Sequence, residues 1–300
     1  MNYRYTVPTA ILVTALLLSA CNSNNKLEGS SNNNSSTIVK EEATNVAETV
    51  DAADAGTQQG DFKEAIDQYR SYVIQECDAF VTQTGKFVDA VNSGDIETAK
   101  ALYAPARMHY ERIEPIAEAL GDLDPNIDAR DGDVEESEWR GFHRIEKALW
   151  EDKTTEGQQE YADRLLSDAK LLRALVETVE IDASLLVTGA VELLNEVSTS
   201  KVTGEEERYS RTDLYDFAAN VEGAAKIYEL LKPQLAANDA ELDKQIGERF
   251  AALDKELAPF KEGEGYVTYD KLTEEDVRTL SQNLDALAEP LSNMGKLLGV

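Results

Sequence analysis

From Phe62 to the end of the chain, apolar residues recur at intervals of three and four. Phe62, Ile66, Tyr69, Val73, Phe80, Phe87 and Val91 form one stripe, closed by Asn92-Ser93-Gly94-Asp95. That pattern predicts an amphipathic helix followed by a turn. Stripes of the same period run from Ala99 to Leu120, Trp139 to Trp150, Tyr161 to Val179, Leu185 to Val197, Leu214 to Leu231, Leu242 to Leu257 and Val277 to Leu298. No segment alternates as a half-buried strand would. The breakers between stripes, among them Gly121-Asp122, Gly132-Asp133, Gly204, Asn238-Asp239 and Gly263 to Gly265, are short, and short connections join antiparallel neighbours. The expected fold is therefore all-α, two packed helical bundles, with the division placed near residue 200. Pro105 and Pro115 fall inside the second stripe. Each lacks a backbone donor and is expected to kink or break the helix, freeing carbonyls near Glu111 and Glu114.

The first sixty residues follow another pattern. Arg4 precedes an apolar run from Val7 to Leu18 that ends Leu18-Ser19-Ala20-Cys21. The run is shorter than the roughly 20 residues a membrane-spanning helix needs. Residues 1–20 read as a signal peptide with a lipobox, and Cys21 as the lipidated first residue of the mature chain. The expected location is the outer face of the cytoplasmic membrane or the periplasm, anchored by lipid. Residues 21–60 are rich in Asn, Ser, Thr and Ala and hold no aromatic residue, a composition that cannot bury enough surface to offset ordering. They read as a disordered tether, leaving 61–300 as the helical domain.

The only other cysteine, Cys77, lies among Val73, Ile74, Phe80 and Val81. With Cys21 lipidated it has no disulfide partner, and its apolar setting is that of a small buried hydrophobe. Charge narrows the choice of ligand. The chain carries 58 acidic against 29 basic residues, a net charge of −29. Such a field repels nucleic acid and anionic headgroups and concentrates cations.

Only two histidines occur, His109 and His143. His143 and Glu146, three apart, share a helix face and can hold one ion between them. Glu111 and Glu114 repeat that spacing on another expected helix, and Asp128 follows in the segment Asn126-Ile127-Asp128-Ala129-Arg130, read as a loop. Facing helices that each supply inward carboxylates, one with a histidine, make a bundle metal site. Oxygen donors with one imidazole suit iron, manganese or zinc better than copper(I), with calcium left open. The bland alternative is a solvated acidic face beside a core histidine satisfied by Glu146. The chain has no Gly-x-Ser-x-Gly elbow and no His-Glu-x-x-His signature, so hydrolytic readings have no recognisable machinery.

Gly141-Phe142-His143-Arg144-Ile145-Glu146 resembles the Gly-x-His-x-x-Glu signature of imelysin-like proteins, in particular their EfeO and EfeM branch. His109 to Glu118, Ile127 to Arg130, Thr203 to Ser210 and Thr212 to Gly223 resemble the same branch in order, and the similarity covers residues 62 to 300. The resemblance implies an all-helical, two-lobed extracytoplasmic component of the Efe iron-uptake system, working beside a membrane iron permease and a haem-peroxidase-like partner. It implies iron, ferrous or ferric, as the cargo, with zinc, copper or calcium as competitors. It also assigns Glu111, Glu114, Asp128, His143 and Glu146 to the metal site. The expected role is capture and delivery without turnover. Imelysin-type metallopeptidase activity and calcium-bridged binding of an acidic polysaccharide such as alginate are the alternatives. Two features depart from the branch. Only the expected tether precedes residue 60 in this sequence, where EfeO proper carries a cupredoxin domain, so the short, EfeM-like form is expected. Arg211 stands where histidine is expected between Ser210 and Thr212, and residues 209–213 are expected to serve as a cap or interlobe contact.

Overall fold

The apolar stripes fold as helices in the computed structural model, which describes residues 54–300; the expected signal segment, Cys21 and the tether before Asp54 lie outside the described residues. Among the described residues there are ten α-helices: α1 Asp54–Ser93, α2 Ile96–Glu111, α3 Glu114–Ala117, α4 Leu123–Asp128, α5 Phe142–Lys147, α6 Gln159–Leu175, α7 Ala183–Thr199, α8 Asp213–Asn238, α9 Ala240–Leu257 and α10 Glu274–Leu298. The helix α1 already begins within the span read as tether. The one strand pair among the described residues, β1 Lys261–Glu262 and β2 Gly265–Tyr266, is antiparallel and too short to carry an alternating pattern.

Three long helices form one group, in which α1 packs along α2 and α6. A second group consists of α7, α8, α9 and α10, with α10 lying against both α7 and α9. The helix α8 also packs on α2 and α1, so it belongs to its own group and to the seam between groups. One apolar core, from Phe62 on α1 to Leu298 on α10, continues through both. Side chains cap several helix starts: Asp95 accepts from the Thr98 amide, Asp182 from Leu185, and Thr273 with Asp276 forms a capping box on α10. Each satisfies donors that a helix start leaves without partners.

The second stripe is not one helix. It stops at Glu111 and resumes at Glu114. Pro105 is accommodated inside α2, whereas Pro115 sits at the second position of α3, where its missing donor has no helical partner to lose. Glu111 and Glu114 therefore flank a break. The carbonyl freed at Glu111 accepts a hydrogen bond from Asn220 Nδ2 on α8 at 2.9 Å. Gly223 permits this approach, since a Cβ there would lie 2.4 Å from the Arg112 carbonyl oxygen. Asp216, Asn220 and Gly223 share one face of α8, so the backbone contact brings that face against the break.

Candidate metal centre

His143 reaches the interior because α5 starts on a glycine. Gly141 has φ of +94°, and a Cβ on it would stand 2.3 Å from the Ile127 carbonyl oxygen. Only a residue without a side chain lets α5 begin so close to the end of α4. Asp128 is the last residue of α4 rather than a loop residue. His143 Nε2 is consequently 3.5 Å from Asp128 Oδ1 and 3.6 Å from Glu206 Oε1. On its other side Nδ1 is 3.2 Å from Glu146 Oε2 and 3.5 Å from the Tyr103 hydroxyl. Nε2 is buried and makes no hydrogen bond. Two sets of donor atoms gather within 4.8 Å of one another, Asp128 with His143 and Glu206, and His143 with Glu146 and Glu207.

The cluster is organised around Arg107, a fully buried residue of α2. Its guanidinium meets Glu111 at 2.6 Å, Glu207 at 2.5 Å, Asp216 at 3.3 Å and Glu206 at 3.7 Å, and it donates a short hydrogen bond to Asp128. The rings of Tyr103 and Phe142 lie beside the same guanidinium, at 6.0 and 5.6 Å. Lys201 forms a second centre. Its Nζ donates to Glu111 Oε2 at 2.9 Å and to Glu114 Oε1 and Oε2 at 2.9 and 2.8 Å. Asn220 Nδ2 contacts the same two carboxylates, at 3.0 and 2.8 Å. Glu146 is held by backbone donors, with the amides of Tyr209 and Ser210 reaching Oε1 at 2.9 and 2.7 Å.

Negative charge is in excess here. Glu111, Glu114, Glu146, Glu206, Glu207, Asp213 and Asp216 are buried, against the two full cations Arg107 and Lys201. Burial pushes Glu114, Glu207 and Asp216 well above the usual carboxylate range, although Lys201 opposes this for Glu114 and Arg107 opposes it for the other two. Burial acts in the same sense on Glu206 and Asp128 but is overcome. Lys201 and the nearby His143 imidazole bring Glu206 down to about 2, and Arg107 with His143 holds Asp128 below the ordinary range. Burial and Arg107 disfavour a charged His143, yet Asp128, Glu146 and Glu206 together keep the imidazole protonated well above its usual value. The cluster thus retains protons where a multivalent cation could take their place.

A pocket of about 200 Å³ leads from exposed Asp133 to this cluster, lined by Glu114, Asp124, Asp128, Arg130, Glu196 and Glu206 among others. Burial raises Asp124 to about 6. Arg130 is the one basic residue in the lining.

The five residues expected from sequence converge here, but in two subsets. Asp128, His143 and Glu146 surround the imidazole. Glu111 and Glu114 belong to the Lys201 and Asn220 network, with Arg107 between the subsets. His109 lies elsewhere, its Nδ1 2.7 Å from Glu76 and facing Arg112. Sequence reasoning passed over Arg107, Lys201, Glu206, Glu207, Asp216 and Asn220. A signal existed for Glu206 and Glu207 in the block Thr203 to Ser210, which resembles the family branch although the resemblance assigns neither glutamate to the metal site. Arg211 adopts φ of +63°, donates to the Gly204 carbonyl at 2.7 Å and lies over the Tyr269 ring. It clamps the turn that presents Glu206 and Glu207.

Residues 39–294 match the protein-family model described as Imelysin, and the chain belongs to that family. Within it, the chain belongs to the EfeM/EfeO branch. It is 43% identical over 293 residues to an Efem/EfeO family lipoprotein of Staphylococcus haemolyticus, covering 96% of this chain and 97% of that one. It is 48% identical over 240 residues to the iron uptake system component EfeO of Escherichia coli strain K12, covering 79% of this chain and 64% of that one. The EfeO of Shigella flexneri matches to the same extent. The chain therefore spans just under two thirds of the length of these EfeO relatives.

Proposed function

We propose that this protein captures an iron ion in the carboxylate cell around His143 and passes it to a membrane permease, as the lipid-anchored extracytoplasmic component of an iron-uptake system. The observation that carries the reading is the buried His143 Nε2, without a hydrogen bond, facing Asp128 and Glu206 inside a cluster with surplus carboxylates. Such a donor set, rich in oxygen and with one imidazole, suits iron or manganese and offers no thiolate or thioether to draw copper(I). The EfeO relatives named as iron uptake system components support iron as the cargo. Lipidation at Cys21 would keep the body beside the permease, with a haem-peroxidase-like partner handling redox chemistry. No described helix is long and apolar enough to cross a membrane. In this reading Asp128, Glu206 and His143 Nε2 hold the ion, Glu146 orients the imidazole through Nδ1 with Glu207 beside it, and Glu111 and Glu114 stay with Lys201 as an outer layer.

Iron binding measured by calorimetry on the wild type and on the His143→Ala, Glu146→Ala and Glu206→Gln variants tests this. The expected result is one strongly bound equivalent in the wild type and weakening by tenfold or more in each variant, about the effect of losing one coordinating group or its orienting partner. One equivalent bound with unchanged affinity in all three would refute the assignment.

A further inference from the structure

Arg130 occupies a position that the capture reading leaves unexplained. It follows α4 by two residues and lies in the lining of the acidic pocket. Its Nη1 donates to Glu206 Oε2 at 2.8 Å, its Nε donates to Asp133 Oδ2 at 3.0 Å, and its side chain is 23% exposed. Glu206 is shared: Oε2 faces Arg130 on the pocket side, while Oε1 faces His143 Nε2 and Arg107 on the inner side. A cation reaching His143 through this pocket meets the Arg130 guanidinium on the carboxylate it needs.

We infer that Arg130 is the selectivity residue at the mouth of the site: a multivalent cation enters by displacing its guanidinium from Glu206, and a monovalent cation does not. This rests on the capture reading and deepens it. The guanidinium is a monocation with two good hydrogen bonds in the pocket, so it holds Glu206 against sodium or potassium, which gain no more from the carboxylate and lose hydration. A divalent or trivalent ion bound by Asp128, His143 and Glu206 together gains more charge interaction and leaves Arg130 paired with Asp133 at the rim. The exchange breaks one ion pair and forms coordination bonds at the same carboxylate, and the positive charge the ion adds is met by the surplus of buried carboxylates around His143. Asp133 is exposed and touches none of the inner donors in this arrangement; it holds the displaced arginine.

Stopped-flow mixing of the full chain with Co²⁺, followed by the visible absorption of the bound ion, provides the test. Arg130→Gln is expected to raise the association rate about tenfold or more, the scale on which a like charge at an entrance acts, and to make the rate sensitive to competing sodium. Arg130→Lys, which keeps the charge, is expected to stay near the wild type. Asp133→Asn, at an exposed position with little risk to folding, removes the acceptor that holds the displaced arginine and is expected to slow association. Wild type that binds Co²⁺, together with rates unchanged in Arg130→Gln and Asp133→Asn, would overturn the role of Arg130 and leave the capture reading standing. A wild type that binds no Co²⁺ and no iron would overturn both.

Discussion

His143 lies 3.5 Å from Asp128 because the two residues end and begin helices that meet backbone to backbone at Gly141. The imidazole and the carboxylate come from different helices, and neither moves far without the other. Most of the geometry of the candidate site depends on contacts of this kind.

Gly141→Ala should therefore disturb both stability and binding. The new Cβ would meet the Ile127 carbonyl at 2.3 Å in a backbone conformation that side chains rarely adopt. The expected loss is about 1–3 kcal/mol from local strain, together with weakened metal binding as His143 retreats from Asp128. Urea unfolding and calorimetry on the same preparation check it. A stable variant with full affinity would show that the close approach is not required.

Lys201 stands where an ion could, with three carboxylate oxygens within 2.9 Å. Lys201→Met leaves Glu114 without its cationic partner and Glu111 with Arg107 alone, and breaking a buried pair from one side costs about 3–5 kcal/mol. Added Mn²⁺ should restore more stability to the variant than it gives the wild type, because the ion can replace the ammonium. Thermal melts with and without Mn²⁺ decide the matter, and equal gains in both proteins would contradict it.

Stability without metal should fall as pH rises through the interval from about 4 to about 6. Burial raises Asp213 from 3.8 to about 6, so across this interval the folded chain holds a proton that the unfolded chain has released. The slope of unfolding free energy against pH follows protons bound in the unfolded state minus those bound in the folded state, and it is negative here. Below about 4 both forms are protonated and the penalty vanishes; above about 6 it is fully present. Asp124, also raised to about 6, acts in the same direction. Asp213→Asn should flatten this limb in urea titrations at several pH values, and an unchanged slope would remove Asp213 as its source.

Cys77 should be inert in the native chain. It is fully buried and burial pushes its thiol up to about 12, so the reactive thiolate is scarce at neutral pH and out of reach. With Cys21 lipidated or replaced, a disulfide reagent at pH 8 should find no thiol until denaturant is added. Rapid labelling of the folded chain would contradict the packing around it.

The helices were legible because a stripe such as Phe62 to Val91 records burial directly, one residue per contact with the core. The pair His143 and Glu146 was legible for a similar reason, since spacing along one helix fixes which side chains are neighbours. Glu111 and Glu114 show where that logic stops. Their spacing suggested a shared helix face, but the helix breaks between them, and what unites them is Lys201, about ninety residues away in the chain. Arg107 was missed for a related reason. A charged residue on a helix reads as solvent-facing, although its neighbours Ala104, Ala106 and Tyr110 are buried. Ion pairs between distant segments leave no periodic trace, so the centre of the cluster was the part hardest to see.

Arg107 draws carboxylates from α2, from α4, from the turn at Glu206 and Glu207, and from α8. These segments span both helix groups and about half of the described chain. The guanidinium thus works as a coincidence detector for folding: its surroundings are complete only when every one of those segments has arrived. A half-assembled chain contains the same acids, dispersed and separately hydrated, with no cell in which to hold an ion. In the proposed reading, competence to bind metal and completion of the tertiary structure are a single event, and a chain still on its way to the native state would not compete for iron with one that has reached it.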